Sequence, residues 1–187
     1  MEDMNGSSSD RRDFLKTAVT GAAALVASHE AAKAQHTDPP APATEGRTTL
    51  PNTLEYHRIT AEAAKRMIAA AEKKAEELGK AMVIAVCDES GNLKAFSRMD
   101  NARLLSVQIA QDKAYTAISV GIPTHQWYES IKGDAPLLTG IVHTPRLVVF
   151  GGGYPIVING QVVGGIGVSG GHYSEDMKCA EAALKVL

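Results

Sequence analysis

The sequence is poor in the features that announce a function outright. It has two cysteines in 187 residues, Cys87 and Cys179, too few for a disulfide framework or for a zinc site of their own. No apolar run approaches the roughly 18–20 residues that cross a bilayer. Charge of neither sign dominates: 19 lysines and arginines stand against 21 aspartates and glutamates, for a formal net charge of −2. That balance speaks against a nucleic-acid partner, because duplex binding relies on a clustered basic face. H-E-x-x-H, C-x-x-C and spaced His/Asp clusters are absent, so no familiar metal-binding pattern is present. G-x-S-x-G is absent too; "GVSGG" has a serine, Ser169, without the nucleophile elbow. What is left is an ordinary globular composition, 44% hydrophobic and 21% charged, enough for one domain with a real core.

The chain opens with an address rather than a fold. In "DRRDFLKTAVTGAAALVA" the paired Arg11 and Arg12 stand just before Phe14, Leu15 and Lys16, a close match to a twin-arginine export signal. A weakly apolar, alanine-rich stretch follows from Thr17 to Ala27, with no charged face of the kind an amphipathic helix would show. "AKA" at Ala32–Ala34 then supplies the small residues that a signal peptidase tests. Residues 1–34 are therefore expected to be a twin-arginine signal. The mature chain would start at Gln35, have 187 − 34 = 153 residues, and reside in the periplasm or outside the cell. The twin-arginine route carries folded proteins, often with a cofactor already loaded, which is a first hint of a prosthetic group. Residues 35–53, rich in proline and threonine, read as a flexible linker.

The folded domain is expected over residues 54–187. Apolar positions at Ile59, Ala63, Met67, Ala70 or Ala71, Ala75 and Leu78 predict a helix that Gly79 closes. "AMVIAVCD" and "LKAFSR" around the turn cluster "ESGNL" predict a hairpin. Leu104–Gly121 reads as a second helix, and a short one should start near Thr124 as its N-cap. Three strands follow: "PRLVVF" (Pro145–Phe150), then "YPIVIN" and "QVVGGIGVS", the last two joined by the strong hairpin signal Asn159-Gly160. A C-terminal helix should open with Ser174 as its cap. The order predicts an α+β fold with a mostly antiparallel five-stranded sheet flanked by helices.

Nine of the 17 glycines crowd into the 22 residues from Phe150 to Gly171. A phosphate cradle would need a helix straight after the glycines, and a lysine for the Walker type. Here Gly151-Gly152-Gly153 leads into another strand, and no lysine lies in the stretch. "GGIGVSG" matches G-x-G-x-x-G, but from inside a strand rather than after it. The better reading is that glycine removes side chains where a backbone, a side chain or a flat ligand must approach the sheet.

Taken in order, "MVIAVCDESGNLKAFSRMD", "AQDKAYTA", "GGGYPIVINGQVVGGIGVSGG" and "EDMKCAEAAL" resemble the GlcG/HbpS-type haem-binding family. The same fold resembles the C-terminal domain of PduO-type corrinoid adenosyltransferases. The resemblance runs from about Leu54 to Leu187. It implies a profilin-like domain that self-associates into homo-oligomers, with haem as cofactor and exported members among its number. The expected function is an exported haem-binding protein for storage, uptake, sensing or protection. The rival is a small-molecule enzyme or accessory protein of an organic-acid or aldehyde pathway.

Haem iron is held by His, Tyr, Met or Cys in an apolar slot. Of the histidines beyond the signal region, His57, His143 and His172 rank first as metal ligands, because they sit at element ends or in loops. His125 ranks behind them, although Trp127 and Tyr128 beside it could stack on a porphyrin. Tyr173, next to His172, joins the cofactor-binding set. So does Lys113, which interrupts the apolar stripe Ile109–Lys113–Ala117 and needs a counter-charge: Asp88, Asp100 or a ligand carboxylate.

Overall fold

Thr60 decides where the first helix begins. Its Oγ1 accepts the Ala63 N–H at 3.1 Å, and Glu62 stands in the first turn, where the helix dipole favours an acid. The helix, α1, spans Ala61–Glu77 and buries Ala63, Ala64, Met67, Ala71 and Ala75 on one face. Ile59, read from the sequence as part of this helical stripe, lies before the cap. It is buried all the same, and its N–H donates to Val163 O at 2.8 Å. The computed structural model describes residues 54–187; the expected export signal and linker, residues 1–53, lie outside them.

The hairpin forms as the pattern requires. β1, Val83–Asp88, is buried at every position, whereas β2, Leu93–Arg98, is only partly covered. Asp88 Oδ1 holds the turn by accepting the N–H groups of Ser90 (3.1 Å) and Asn92 (3.0 Å). α2 runs from Leu104 to Val120 and stops at Gly121, whose φ of +71° glycine adopts without the strain a side chain would add. Two short helices follow, α3 (Thr124–Ile131) and α4 (Ala135–Ile141), the second capped by Asp134. β3 (Gly153–Ile158) and β4 (Gln161–Ser169) turn through Asn159 and Gly160, both at positive φ as a two-residue hairpin demands. α5, Tyr173–Leu184, completes the domain.

The sheet is antiparallel throughout, in the order β2-β1-β4-β3. Among the described residues it has four strands, not the expected five. Pro145–Phe150 has a strand's apolar run, but its backbone groups are engaged elsewhere. Arg146 sits at φ +68°, and Thr116 Oγ1 on α2 donates to Arg146 O (2.9 Å) while accepting the Val148 N–H (3.0 Å). Thr124 Oγ1 donates to Phe150 O at 2.8 Å. Two helix hydroxyls thus take the place of a neighbouring strand. This also explains why Thr124 does not cap α3: the cap is Pro123, without a side-chain bond.

Alternation along the strands sorts the core into two layers. Ile84, Val86, Ile156, Ile166 and Val168 face α1 and α5, where they meet Met67, Ala71, Cys179 and Ala180. Val83 and Ala85 face α2 and Ala110. Cys87 continues the α2-facing set while Cys179 packs in the opposite layer; both are free and buried, so they do not pair. Burial pushes each thiol up to about 11, which keeps both protonated at neutral pH.

Candidate functional site

The glycine cluster is a packing device. A Cβ on Gly167 would overlap the Ala110 carbonyl and stand 2.6 Å from Ala114 N; one on Gly165 would stand 2.7 Å from Ala114 O. β4 gives up its side chains there so that α2 can lie directly on it. The Gly151–Gly153 loop does the same at the end of the sheet. A Cβ on Gly151 would be 2.5 Å from Met177 Sδ, and one on Gly152 would be 2.8 Å from Lys113 Nζ. At Gly153 it would strike Lys113 O and stand 2.6 Å from Thr124 Cγ2.

Beneath that loop lies Lys113, entirely removed from solvent. Its Nζ donates to Asp176 Oδ2 at 2.7 Å and to Val168 O at 2.9 Å, and sits 4.8 Å from the centroid of the Phe150 ring. The counter-charge is therefore neither Asp88 nor Asp100. Asp88 commits an oxygen to the hairpin turn, and Asp100 is exposed beyond β2. Asp176 is 63 residues away in sequence, on the first turn of α5, and its other oxygen accepts the Gly171 N–H at 3.1 Å. Burial draws the ammonium's pKa down and the carboxyl's up, while their mutual attraction opposes both shifts.

Above the pair opens a groove of about 460 Å³. α3 supplies His125, Tyr128 and Glu129; the loop supplies Val149, Phe150 and Gly151; α5 supplies Tyr173. The three aromatic rings remain two-fifths or more exposed: Tyr128 40%, Phe150 42% and Tyr173 47%. Three exposed rings around one concavity make an apolar surface that the described residues leave uncovered. His125 lies against Tyr154, with ring centroids 5.7 Å apart. Its Nδ1 is buried and has no hydrogen-bond partner among the described residues. Tyr154 is held in turn by Glu181, which accepts its hydroxyl at 2.6 Å.

The residues singled out in the sequence distribute unevenly around this groove. Tyr173 lines it, and Lys113 lies under its Phe150 wall. The His172 ring lies tilted against Tyr173, with centroids 4.2 Å apart, but opens into a separate polar cavity with Lys80, Arg103 and Glu175. It also replaces Ser174 as the cap of α5: its Nδ1 accepts the Ser174 N–H at 3.4 Å, and Glu175 accepts the His172 N–H at 2.9 Å. His57 is exposed ahead of α1, and His143 is exposed just after α4; neither is among the groove's lining residues. No cluster of three or more His, Cys, Asp or Glu suited to a metal ion occurs among the described residues. The histidine in the groove is His125, ranked last from the sequence. The signal that could have raised it was its i, i+3 spacing from Tyr128, which puts the two on one helical face.

Comparison with known proteins agrees with the resemblance of the motifs. A 15.0 kDa protein of the dhaT-dhaS intergenic region of Citrobacter freundii is 41% identical over 127 residues, covering 67% of this chain and 89% of that protein. The crystal structure of HbpS superposes with a TM-score of 0.67 at 33% identity, over 73% of this chain and 94% of that one. A PduOC–haem complex does so with a TM-score of 0.65 at 29% identity, over 70% and 95%. The family model described as "Haem degrading protein HbpS-like" matches residues 59–185, and the chain belongs to that family.

Proposed function

We propose that this protein binds haem, and that the groove between α3, the glycine loop and α5 receives it. The observation that carries the reading is a concave, aromatic-walled surface holding an imidazole whose buried Nδ1 lacks a partner among the described residues. A groove of about 460 Å³ is within the range of pockets for small molecules and cofactors. Its chemistry suits the group: flat apolar rings for the macrocycle, and His125, Tyr128 and Tyr173 as side chains of the type that ligate iron. Family membership and the haem-bound structural neighbour support the same ligand.

Bound haem supplies an iron centre with redox and ligand-binding capacity. The chain's own part is to stack Phe150, Tyr128 and Tyr173 on the ring, to present His125, and to keep water from one face. Titration of the protein with haem tests this. A Soret band that appears on binding and is lost or shifted in His125→Ala is the expected result. A titration left unchanged by His125→Ala but abolished by His57→Ala, His143→Ala or His172→Ala moves the iron away from this groove. The family description favours turnover over storage, which is read as loss of the Soret band when a reductant and oxygen are added.

Export belongs to the same proposal and rests on Arg11, Arg12 and the Ala32–Ala34 site. The protein recovered from the periplasm or medium should begin at Gln35. Recovery of the intact chain from the cytoplasm alone, unchanged by Arg11→Lys with Arg12→Lys, would refute it.

A further inference from the structure

The buried Lys113–Asp176 pair has no part in the ligand chemistry above, yet two of the three walls of the groove, the glycine loop and α5, lead back to it. α2 carries Lys113, and α5 carries Asp176 three residues after Tyr173. β4 contributes Val168, whose carbonyl accepts from Nζ and whose N–H donates to Gly152 O at 2.9 Å. The glycine loop lies flat on the pair because position 152 has no Cβ, and Phe150 places its ring over the ammonium. Gly151 rests against Tyr173 and Met177. The ring of Phe150 and the ring of Tyr173 are thus set from one charged centre.

We propose that Lys113 and Asp176 form a positioning latch for the groove, fixing the Phe150 ring and the glycine loop against the first turn of α5 and so setting the aromatic walls that receive the ligand. This rests on the groove being the haem site. The latch differs from an ordinary core ion pair in what its removal does. A core pair can be exchanged for neutral residues with the fold intact and nothing else altered. A latch exchanged in the same way leaves a folded protein whose walls are no longer fixed.

The test is the double variant Lys113→Met with Asp176→Asn in the full chain. The amide introduced on α5 still offers the Gly171 N–H an acceptor, and no unpaired charge is buried. Three measurements are made: a thermal melt, a haem titration, and circular dichroism in the Soret region, which reports fixed aromatic neighbours of the macrocycle. The latch predicts a cooperative melt, at least tenfold weaker haem binding and loss of the Soret circular dichroism. A folded double variant with wild-type affinity and wild-type Soret circular dichroism overturns the latch and leaves the haem reading standing. Phe150→Leu, which keeps the ion pair and removes the ring, serves if the double variant does not fold. It must also lose the Soret circular dichroism, and retention of the signal overturns the proposal. Failure of the wild-type protein to bind haem overturns the function and the latch together.

Discussion

Gly167→Ala puts the packing role of the glycines to a direct test. The added methyl would overlap the Ala110 carbonyl oxygen, stand 2.6 Å from Ala114 N and 3.0 Å from Lys113 Cβ. The first two neighbours are helix backbone and cannot rotate aside, so α2 has to lift from β4. Overpacking of this kind costs about 1–3 kcal/mol, and backbone obstruction places this case near the upper end. For a domain of this size each kcal/mol is worth roughly 3–5 °C, so the melting temperature should fall by about 9–15 °C. Gly140→Ala is the matched control. It lies inside α4 with open space at its Cβ, and alanine there should stabilise by about 0.5–1 kcal/mol. Thermal unfolding of both variants, followed by far-UV circular dichroism, decides the matter. Were Gly167→Ala to melt at or above the wild-type temperature, α2 would not lie on β4 as described. The glycines would then need another explanation, a ligand cradle among them.

Other outcomes follow from single contacts. Lys113→Met alone leaves the Asp176 carboxylate buried without its partner and should cost about 3–5 kcal/mol, visible as a lower urea midpoint; a change below about 1 kcal/mol would mean that the pair is not buried in solution. His172→Ala removes the α5 cap and should destabilise by about 1 kcal/mol while leaving haem titration intact; loss of the Soret band would instead make His172 an iron ligand. The thiols give a pH dependence with a definite sign. Folding raises both from 9.0 to about 11, so the unfolded chain releases their protons first and stability is lost as pH rises from about 9 to 11. At pH 10 each thiol should account for about 1 kcal/mol, seen as a steeper fall in urea midpoint for wild type than for Cys87→Ala with Cys179→Ala. A parallel fall in both proteins would show that the thiols are not held apart from water.

Much of the fold could be read along the chain because its determinants are local. The Asn159-Gly160 turn, the buried run of β1 and the glycine stop after α2 each declare themselves within a few residues. The errors arose where a long-range contact took over a local signal. Pro145–Phe150 has the composition of a strand, but Arg146 turns through positive φ and the hydroxyls of Thr116 and Thr124, 30 and 26 residues away from the carbonyls they serve, take the place of a strand partner. Lys113 could be recognised as a buried cation from helical spacing, since periodicity reports which face a residue occupies. Its partner could not, because no period links a residue on α2 to one 63 positions later on α5. The groove meets the same limit: its lining comes from three separate segments, so nothing along the chain announces that His125 shares one concavity with Phe150 and Tyr173.

The buried pair sharpens the functional argument. Two charges withdrawn from water gain little stability over well-packed apolar residues of the same size, so stability alone is a poor reason for Lys113 and Asp176 to occupy the space between α2 and α5. What the pair supplies is direction. An ammonium has three donors, and here they find a carboxylate, a strand carbonyl and an aromatic face, three groups from three segments that an aliphatic side chain would leave free to slide. Gly152 fits the same logic, because any side chain at that position would push the loop off the ammonium. The haem site proposed above would need that kind of fixed floor, and the chain places it directly beneath Phe150, the groove wall that would otherwise hang on a loop of three glycines.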